Sequence, residues 1–227
     1  MRILITSAEE EELITAKQAY DMLSRDKKNK LDVTWMLTGI GTTSTSYRLT
    51  KILNSSQEPF DLVVNTGIAG TFSPEFPIGS VARITKEFFG DLGFETFNGF
   101  QTLFDYKILD ADTHPFRQGA LNAPTLDSCI ESAIGPYKKA YGVTVQTVSG
   151  LPEKKEQLVK GFEPHIESME GAAFFYVCIL EEVPFIELRA VSNEVGERDR
   201  SKWDIPAALD SLREATKKLL EELSNGN

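Results

Sequence analysis

Cysteine, histidine and long apolar runs are all scarce in this chain. Two cysteines, Cys129 and Cys178, and two histidines, His114 and His165, are scattered through 227 residues. That is too few, at the wrong spacings, for a zinc site or a disulfide framework, so no metal and a reducing compartment are expected. No stretch of about 20 apolar residues is present to span a bilayer, and the apolar run Ile3 to Ile5 soon gives way to the acids Glu9 to Glu12. A signal peptide is therefore not expected, and a cytoplasmic protein is. Positive charge is also short, with 24 Lys and Arg against 34 Asp and Glu and a formal charge of −10. An acidic surface is a poor partner for nucleic-acid phosphates or anionic lipid, which leaves small molecules as the expected ligands. With 41% hydrophobic and 10% aromatic residues, the chain can bury a sizeable core, and no linker or repeat divides it. One domain over residues 1–227 is expected.

Familiar motifs are missing as well. Gly39-Ile40-Gly41 follows a strand pattern and precedes a helical one, but Ser44 stands where a dinucleotide fingerprint needs its third glycine. There is no P-loop, no G-x-S-x-G elbow and no H-E-x-x-H pair, so no cofactor is expected. What is present is an alternation of short β-branched runs with longer helical patterns, which predicts an α/β fold with a mostly parallel sheet covered on both faces. Predicted strands are Ile3–Thr6, Val33–Leu37, Leu62–Thr66, Val81–Thr85, Val143–Val148, Ile166–Met169 and Phe185–Ser192. Helices are predicted over Glu170–Glu182 and near the C-terminus, where Ile205, Ala208, Leu212, Ala215, Leu219 and Leu223 share a stripe, Asp204 caps and Pro206 fits the first turn. The segment Phe88–Pro124 breaks the alternation. It is read as a long connection carrying a small hairpin, either a specificity region or a plain surface excursion.

Open α/β sheets place their sites at strand ends, and four ends carry informative residues. After the first strand comes Ser7-Ala8-Glu9-Glu10-Glu11-Glu12, whose plain reading is a first helical turn that complements the helix dipole. After the third comes the glycine-rich Asn65-Thr66-Gly67-Ile68-Ala69-Gly70-Thr71, read as a turn. Met169-Glu170-Gly171-Ala172-Ala173 puts a carboxylate at a strand-to-helix junction. The last, Arg189-Ala190-Val191-Ser192-Asn193, closes an apolar strand in which Glu187 and Arg189 share a face. Charges inside a doubly covered strand are costly unless paired or used.

In this order the segments resemble the nucleoside phosphorylase and nucleosidase superfamily, over nearly the whole chain. The resemblance implies a three-layer α/β/α fold with a central mixed, mostly parallel twisted sheet. Within that superfamily the chain is most similar to the hydrolytic branch: the nucleosidases of methylthioadenosine and adenosylhomocysteine, and the futalosine hydrolases of menaquinone biosynthesis. Glu-Ser-Met-Glu-Gly-Ala-Ala-Phe-Phe at 167–175 and Arg-Ala-Val-Ser-Asn-Glu at 189–194 look most like the latter. The resemblance implies that Glu12 activates water, that Arg189 stands near that water, and that Glu170 grips the ribose hydroxyls with Met169 against the sugar. It also implies that Asn193 and Ser192 address the purine, that Trp203 closes the pocket, and that Thr66, Gly67, Ile68, Ala69 and Gly70, together with Val148, Ser149 and Gly150, line sugar and base. Phe89 is placed on the 5′ side of the ribose, with Arg198 and Arg200 as candidate partners for an acidic 5′ substituent. Relatives of this kind imply a homo-oligomer, with the loop Phe104–Phe116 as the segment that could complete a neighbour's site.

Two departures bear on the reaction. Where phosphorolytic members keep a glycine-and-arginine phosphate cradle, this chain has four consecutive acids, so water is expected as nucleophile. Where adenine-specific nucleosidases keep aspartate, this chain has Asn193, whose NH₂ donors fit the O6 and N7 acceptors of a 6-oxopurine. Hypoxanthine is the expected base. The alternatives are an adenosine-directed nucleosidase and a non-catalytic nucleoside-binding protein of the same fold.

Overall fold

A computed structural model describes residues 1–97, 99–197 and 199–226. Ten strands and seven helices follow in the order β1 (Arg2–Ser7), α1 (Glu10–Asp21), α2 (Arg25–Lys28), β2 (Asp32–Leu37), α3 (Thr42–Ser55), β3 (Leu62–Thr71), β4 (Val81–Phe89), β5 (Gly93–Thr96), β6 (Gly99–Thr102), β7 (Leu121–Asn122), α4 (Ser128–Ile134), β8 (Lys138–Thr144), α5 (Pro152–Phe162), β9 (Ile166–Ser168), α6 (Gly171–Leu180), β10 (Phe185–Glu194) and α7 (Ile205–Asn225), among the described residues. All but the β5–β6 hairpin join one mixed sheet in the order β10-β4-β8-β9-β3-β1-β2, with β7 on the edge of β4. Pairings of β3 with β1 and β10, of β1 with β2, and of β8 with β4 and β9 are parallel; those of β10 with β4, β3 with β9 and β4 with β7 are antiparallel. Because β10 also pairs with β3, strands β3, β10, β4, β8 and β9 close into a ring at one end of the sheet.

The three layers follow from burial on both faces. Leu4, Val63, Ile84 and Val191 pack with Phe174, Phe175 and Cys178 of α6 and Leu49 of α3. On the opposite face Ile3, Ile5, Ile186 and Leu188 pack with Ala16 of α1 and Leu219, Leu220 and Leu223 of α7. Leu212, Leu219 and Leu223 are fully buried, each contributing roughly 1.5–3 kcal/mol. Asp204 caps α7 as its type predicts, accepting from the Ala207 amide at 3.0 Å. No helix among the described residues is long and apolar enough to cross a membrane.

Several expectations need correction. The glycine-rich segment Asn65–Thr71 is not a turn; it continues β3, paired with β10 and β9. Strand β8 lies at Lys138–Thr144 instead of 143–148, because its outer half alternates exposed Lys139 and Tyr141 with small Ala140 and Gly142 and so carries little apolar signal. Phe104 and Phe116 turn inward to pack edge to face at 5.2 Å between ring centres, and Phe116 joins the core. The large apolar side chains of that loop left exposed are Tyr106 and Ile108. The small hairpin within Phe88–Pro124 is present as β5–β6.

Candidate active site

The acidic run at the start of α1 divides into two kinds of residue. Glu9, Glu10 and Glu11 are exposed, and for them the dipole-complementing reading suffices. Glu12, one step further, is buried. Its Oε2 accepts from the amides of Ala8 and Glu9, each at 3.1 Å, and its Oε1 from the amide of Ile68 at 2.8 Å. Burial pushes the Glu12 carboxyl up; Arg189 and the Ile68 and Glu9 amides pull it down, while Glu170 adds to the rise. The outcome is a carboxylate held rigidly with its proton affinity raised, the condition a general base requires.

Arg189 is 1% exposed and lies beneath this carboxylate. Its Nε donates to Glu187 Oε1 at 2.7 Å, and its Nη2, buried without a hydrogen-bond partner, stands 3.6 Å from Glu170 Oε2. Burial acts to lower the guanidinium's pKa, but Glu187, Glu170 and Glu12 drive it upward, so the cation persists. Gly67 is what lets Arg189 and Glu12 meet: a Cβ there would stand 2.9 Å from Glu12 Oε1 and would collide with Arg189 Nη1. Glu170 sits at the N-cap of α6, and its Oε1 accepts from the Gly41 amide at 3.0 Å. The Gly39-Ile40-Gly41 segment thus has a different use from a dinucleotide turn. With φ of 76° at Gly39 and 87° at Gly41, it turns an amide toward the carboxylate, a conformation that glycine adopts without strain.

Behind this layer lies a second one, of which the sequence pointed to Glu187 and missed Glu87. Glu187 Oε1 also accepts from Asn65 Nδ2 at 3.2 Å, and its Oε2 is buried without a hydrogen-bond partner. Glu87, on β4, is 1% exposed and accepts from Thr144 Oγ1 at 2.9 Å. Gly142 and Gly171 give it room, since a Cβ at either would overlap Glu87 Oε1. Burial first, and the neighbouring Glu187 second, push the Glu87 carboxyl far above the usual carboxylate range. Among the described residues, Arg189 is the cation shared by Glu12, Glu170 and Glu187. A protonated Glu87 spares the network a further buried charge.

A cavity of about 270 Å³ opens above these groups. Of the residues singled out from sequence, Glu12, Ile68, Ala69, Gly70, Val148, Ser149, Met169, Glu170, Ser192, Asn193 and Trp203 line it. Thr66, Gly67 and Arg189 stand behind its wall, and Gly150 lies outside the lining. Phe89 belongs instead to a neighbouring hollow of about 640 Å³ with Thr42, Asp91, Phe116 and Tyr176; β4 extends to Phe89 and carries its ring into the aromatic cluster with Phe116 and Tyr176. Arg200 reaches the site cavity, with its guanidinium 5.7 Å from the Trp203 ring centre; Arg198 lies outside the described residues. Asn193 is oriented by its neighbours: Ser192 Oγ donates to Oδ1 at 2.8 Å and Nδ2 donates to the Glu194 carbonyl at 2.9 Å. Sequence reasoning missed Ile40, Glu167 and Val195 in the lining. Of these, Glu167 carried a readable signal, as an acid directly after Ile166 in a predicted strand. Cys178 is buried within α6, and burial pushes its thiol up, which leaves it an inert core residue.

This is the fold and the kind of site, buried carboxylates around one guanidinium beneath a sugar-sized cavity, that enzymes acting on nucleosides use. The chain belongs to the phosphorylase superfamily, whose family model matches residues 7–225. Among its relatives are the futalosine hydrolase of Streptomyces coelicolor, 36% identical over 168 residues and covering 74% of this chain and 68% of that protein, and the futalosine hydrolase of Thermus thermophilus, 30% identical over 188 residues and covering 83% and 81%. In fold the chain is similar to the 5′-methylthioadenosine/S-adenosylhomocysteine nucleosidase of Campylobacter jejuni, with a TM-score of 0.76, 18% identity and 99% of each chain covered.

Proposed function

We propose that this protein is a purine nucleosidase that hydrolyses the N-glycosidic bond of futalosine and releases hypoxanthine. The observation that carries the reading is Glu12, a buried carboxylate fixed by three amides beside Arg189 and Glu170, in the same cavity as Asn193. Cleavage of the bond leaves its electron pair on the purine and positive charge on the ribosyl ring, so both ends need stabilising. A water approaching C1′ gives its proton to Glu12 as its oxygen bonds to carbon. Glu170 addresses the ribose hydroxyls and, with Glu12, offsets the cationic sugar. Arg189 holds both carboxylates in place. Asn193 Nδ2 spends one hydrogen on the Glu194 carbonyl and has a second for the O6 and N7 side of the leaving base. The base departs as its anion and takes up a proton from solvent while Glu12 returns its own, so that the products are hypoxanthine and dehypoxanthine futalosine, a reaction of menaquinone biosynthesis.

A cytoplasmic homo-oligomer is part of the same proposal. Ile40, in the site lining and 54% exposed, and Tyr47, on the adjoining helix and 67% exposed, are large apolar side chains that a second subunit would cover.

Incubation of the purified protein with futalosine, inosine and methylthioadenosine, with the released bases separated chromatographically, tests the reaction. Hypoxanthine from futalosine is expected; adenine from methylthioadenosine with no hypoxanthine from either 6-oxo nucleoside would overturn it. Glu12→Gln should lower kcat by about 10²–10⁴-fold with KM little changed. In the wild type, kcat/KM should fall on the acid side as Glu12 takes up a proton, with the limb centred above the ordinary value of 4.5 because burial raises this carboxyl. A fully active glutamine variant would remove Glu12 from the mechanism.

A further inference from the structure

Two buried carboxyls take no part in breaking the bond. Glu187 on β10 is fully buried, and Glu87 on β4 is 1% exposed. Sheet register brings them to one face. Glu187 is opposite Ile84 of β4, and residues directly opposite one another on adjacent strands share a face. In a regular strand Glu87, three residues beyond Ile84, would point to the other face. A bulge prevents this: Ile84 pairs with Ala140 and Lys86 with Tyr141, so Thr85 is the extra residue and Glu87 returns to the face of Ile84 and Glu187.

The two side chains meet over the backbone of Gly171, the residue after Glu170. A Cβ there would overlap Glu87 Oε1 and stand 3.0 Å from Glu187 Oε1. Each acid is tied to a different part of the site. Glu87 Oε2 accepts from the Thr144 hydroxyl at 2.9 Å, and that hydroxyl accepts in turn from the Ala172 amide at 2.7 Å, in the turn of α6 that follows Glu170. Glu187 Oε1 accepts from Arg189 Nε at 2.7 Å and from Asn65 Nδ2 at 3.2 Å, which fills its two lone-pair sites. Glu187 Oε2, by contrast, is buried without a hydrogen-bond partner.

Two carboxyls that converge on one buried point do not both ionise. Glu187, bonded to a guanidinium, keeps the charge. Thr144, the Phe88 amide and Arg189 favour the anion of Glu87, but burial and Glu187 outweigh them, so Glu87 keeps the proton. Glu170 also faces Glu187, and on α6 the titratable neighbour is Cys178, whose thiol stays neutral because burial and Glu187 push it up. We propose that Glu87 is a positioning residue: it gives its carboxyl hydrogen to the open oxygen of Glu187, and the resulting pair fixes Arg189 and, through it, Glu12 and Glu170. The proposal rests on the nucleosidase reading and deepens it. With that hydrogen bond Glu187 is answered from two sides, and Arg189 serves Glu12 and Glu170 as well. Without it the guanidinium is drawn to Glu187 and away from Glu12, whose carboxyl Arg189 pulls down.

Glu87→Gln keeps an NH₂ donor for Glu187 and cannot ionise, whereas Glu87→Leu has no donor. Both variants and the wild type are assayed for hypoxanthine release from futalosine across the acid limb of kcat/KM, once circular dichroism has shown the fold. Glu87→Leu should lower kcat by about 10–100-fold and move the limb set by Glu12 upward by about one pH unit. Glu87→Gln should restore most of that turnover and leave the limb where the wild type has it. A residue that only fills space would change the amount of folded protein without moving the limb. Wild-type turnover and limb in Glu87→Leu, or a Glu87→Gln as impaired as Glu87→Leu, overturns the proposal. Nuclear magnetic resonance of the glutamate carboxyls decides independently of turnover: Glu87 should be protonated at pH 7 in the wild type, and Glu12 should titrate higher in Glu87→Leu. Failure of the wild type to release any base sinks the hydrolytic reading alone, while an ionised Glu87 at pH 7, or a Glu12 titration unchanged in Glu87→Leu, overturns the role of Glu87. Should Glu87→Leu not fold, Thr144→Val removes the hydroxyl that holds Glu87 and is expected to move the limb the same way with a several-fold loss of kcat/KM; an unmoved limb there also overturns the proposal.

Discussion

Gly67 shows how much of this site depends on a single missing atom. Its Cα lies where the Glu12 carboxylate and the Arg189 guanidinium come together, and a methyl group would stand 2.9 Å from Glu12 Oε1 while colliding with the arginine. Gly67→Ala is expected to displace both groups and lower kcat by about 100-fold or more, since misplacement of order 1 Å at reacting groups costs that much. Far-ultraviolet circular dichroism should show a retained fold, and an alanine variant with wild-type turnover would mean that the pair is not needed in this geometry. Asn193 is the second residue whose identity can be tested by chemistry. An aspartate in its place accepts where the amide donates, so Asn193→Asp should move the ratio of inosine to adenosine hydrolysis toward adenosine by about tenfold, the worth of one hydrogen bond. Glu187 and Arg189 were legible in the sequence because charges inside an apolar, doubly covered strand are costly unless paired or used, whereas Glu12, Glu170 and Asn193 stood out through the family resemblance. Glu87 was not legible, because it follows Thr85 and Lys86 in a segment that reads as the outer end of a strand, and only tertiary packing makes it buried.

At the level of elements, the boundary signals that come from local chemistry were readable and those that depend on partners were not. Asp204 followed by Pro206 and a stripe of apolar residues defines the start of α7 because capping is local. Asp204→Ala should cost about 1 kcal/mol of stability, read by urea denaturation, since the Ala207 amide loses its acceptor. An equally stable variant would mean that solvent replaces the cap. The cap's own backbone amide donates to the Ser192 carbonyl at 2.8 Å, which ties the start of the helix to the strand carrying Asn193. In contrast, the segment Asn65–Thr71 has two glycines and reads as a turn, yet it forms the paired end of β3. Its strand character comes from flanking β10 and β9, which supply the hydrogen bonds. The same holds for β8, where the pairing of Ala140 with Ile84 and of Val143 with Phe88 does what its side-chain pattern does not announce.

For the whole molecule, the concentration of buried acid has a consequence for stability. Glu87, Glu187 and Glu12 all have their carboxyls pushed up by burial. Over the pH range between the unfolded value near 4.5 and the raised folded value, the folded chain holds protons that the unfolded chain has released. Stability therefore falls as pH rises through that window and levels off above it. Glu87→Gln removes the contribution of the most strongly shifted of these groups. Chemical denaturation at pH 5 and pH 8 should show the variant gaining on the wild type at the higher pH, by about 1.4 kcal/mol for each unit by which the Glu87 carboxyl is raised. A stability difference that is the same at both values would mean that Glu87 is not held neutral in the folded state.

By itself the sequence determined the α/β class, the two helical faces, the acidic charge and the residue types available for chemistry. These follow from periodicity, composition and local capping, which act between near neighbours in the chain. Only the tertiary structure decided that Glu12 alone of four consecutive acids turns inward, that Gly41 gives its amide to Glu170, and that Glu87 lies beneath the arginine network. Each of those is a meeting of residues from different strands and helices, set by sheet register and by burial, and neither quantity exists before the chain has folded.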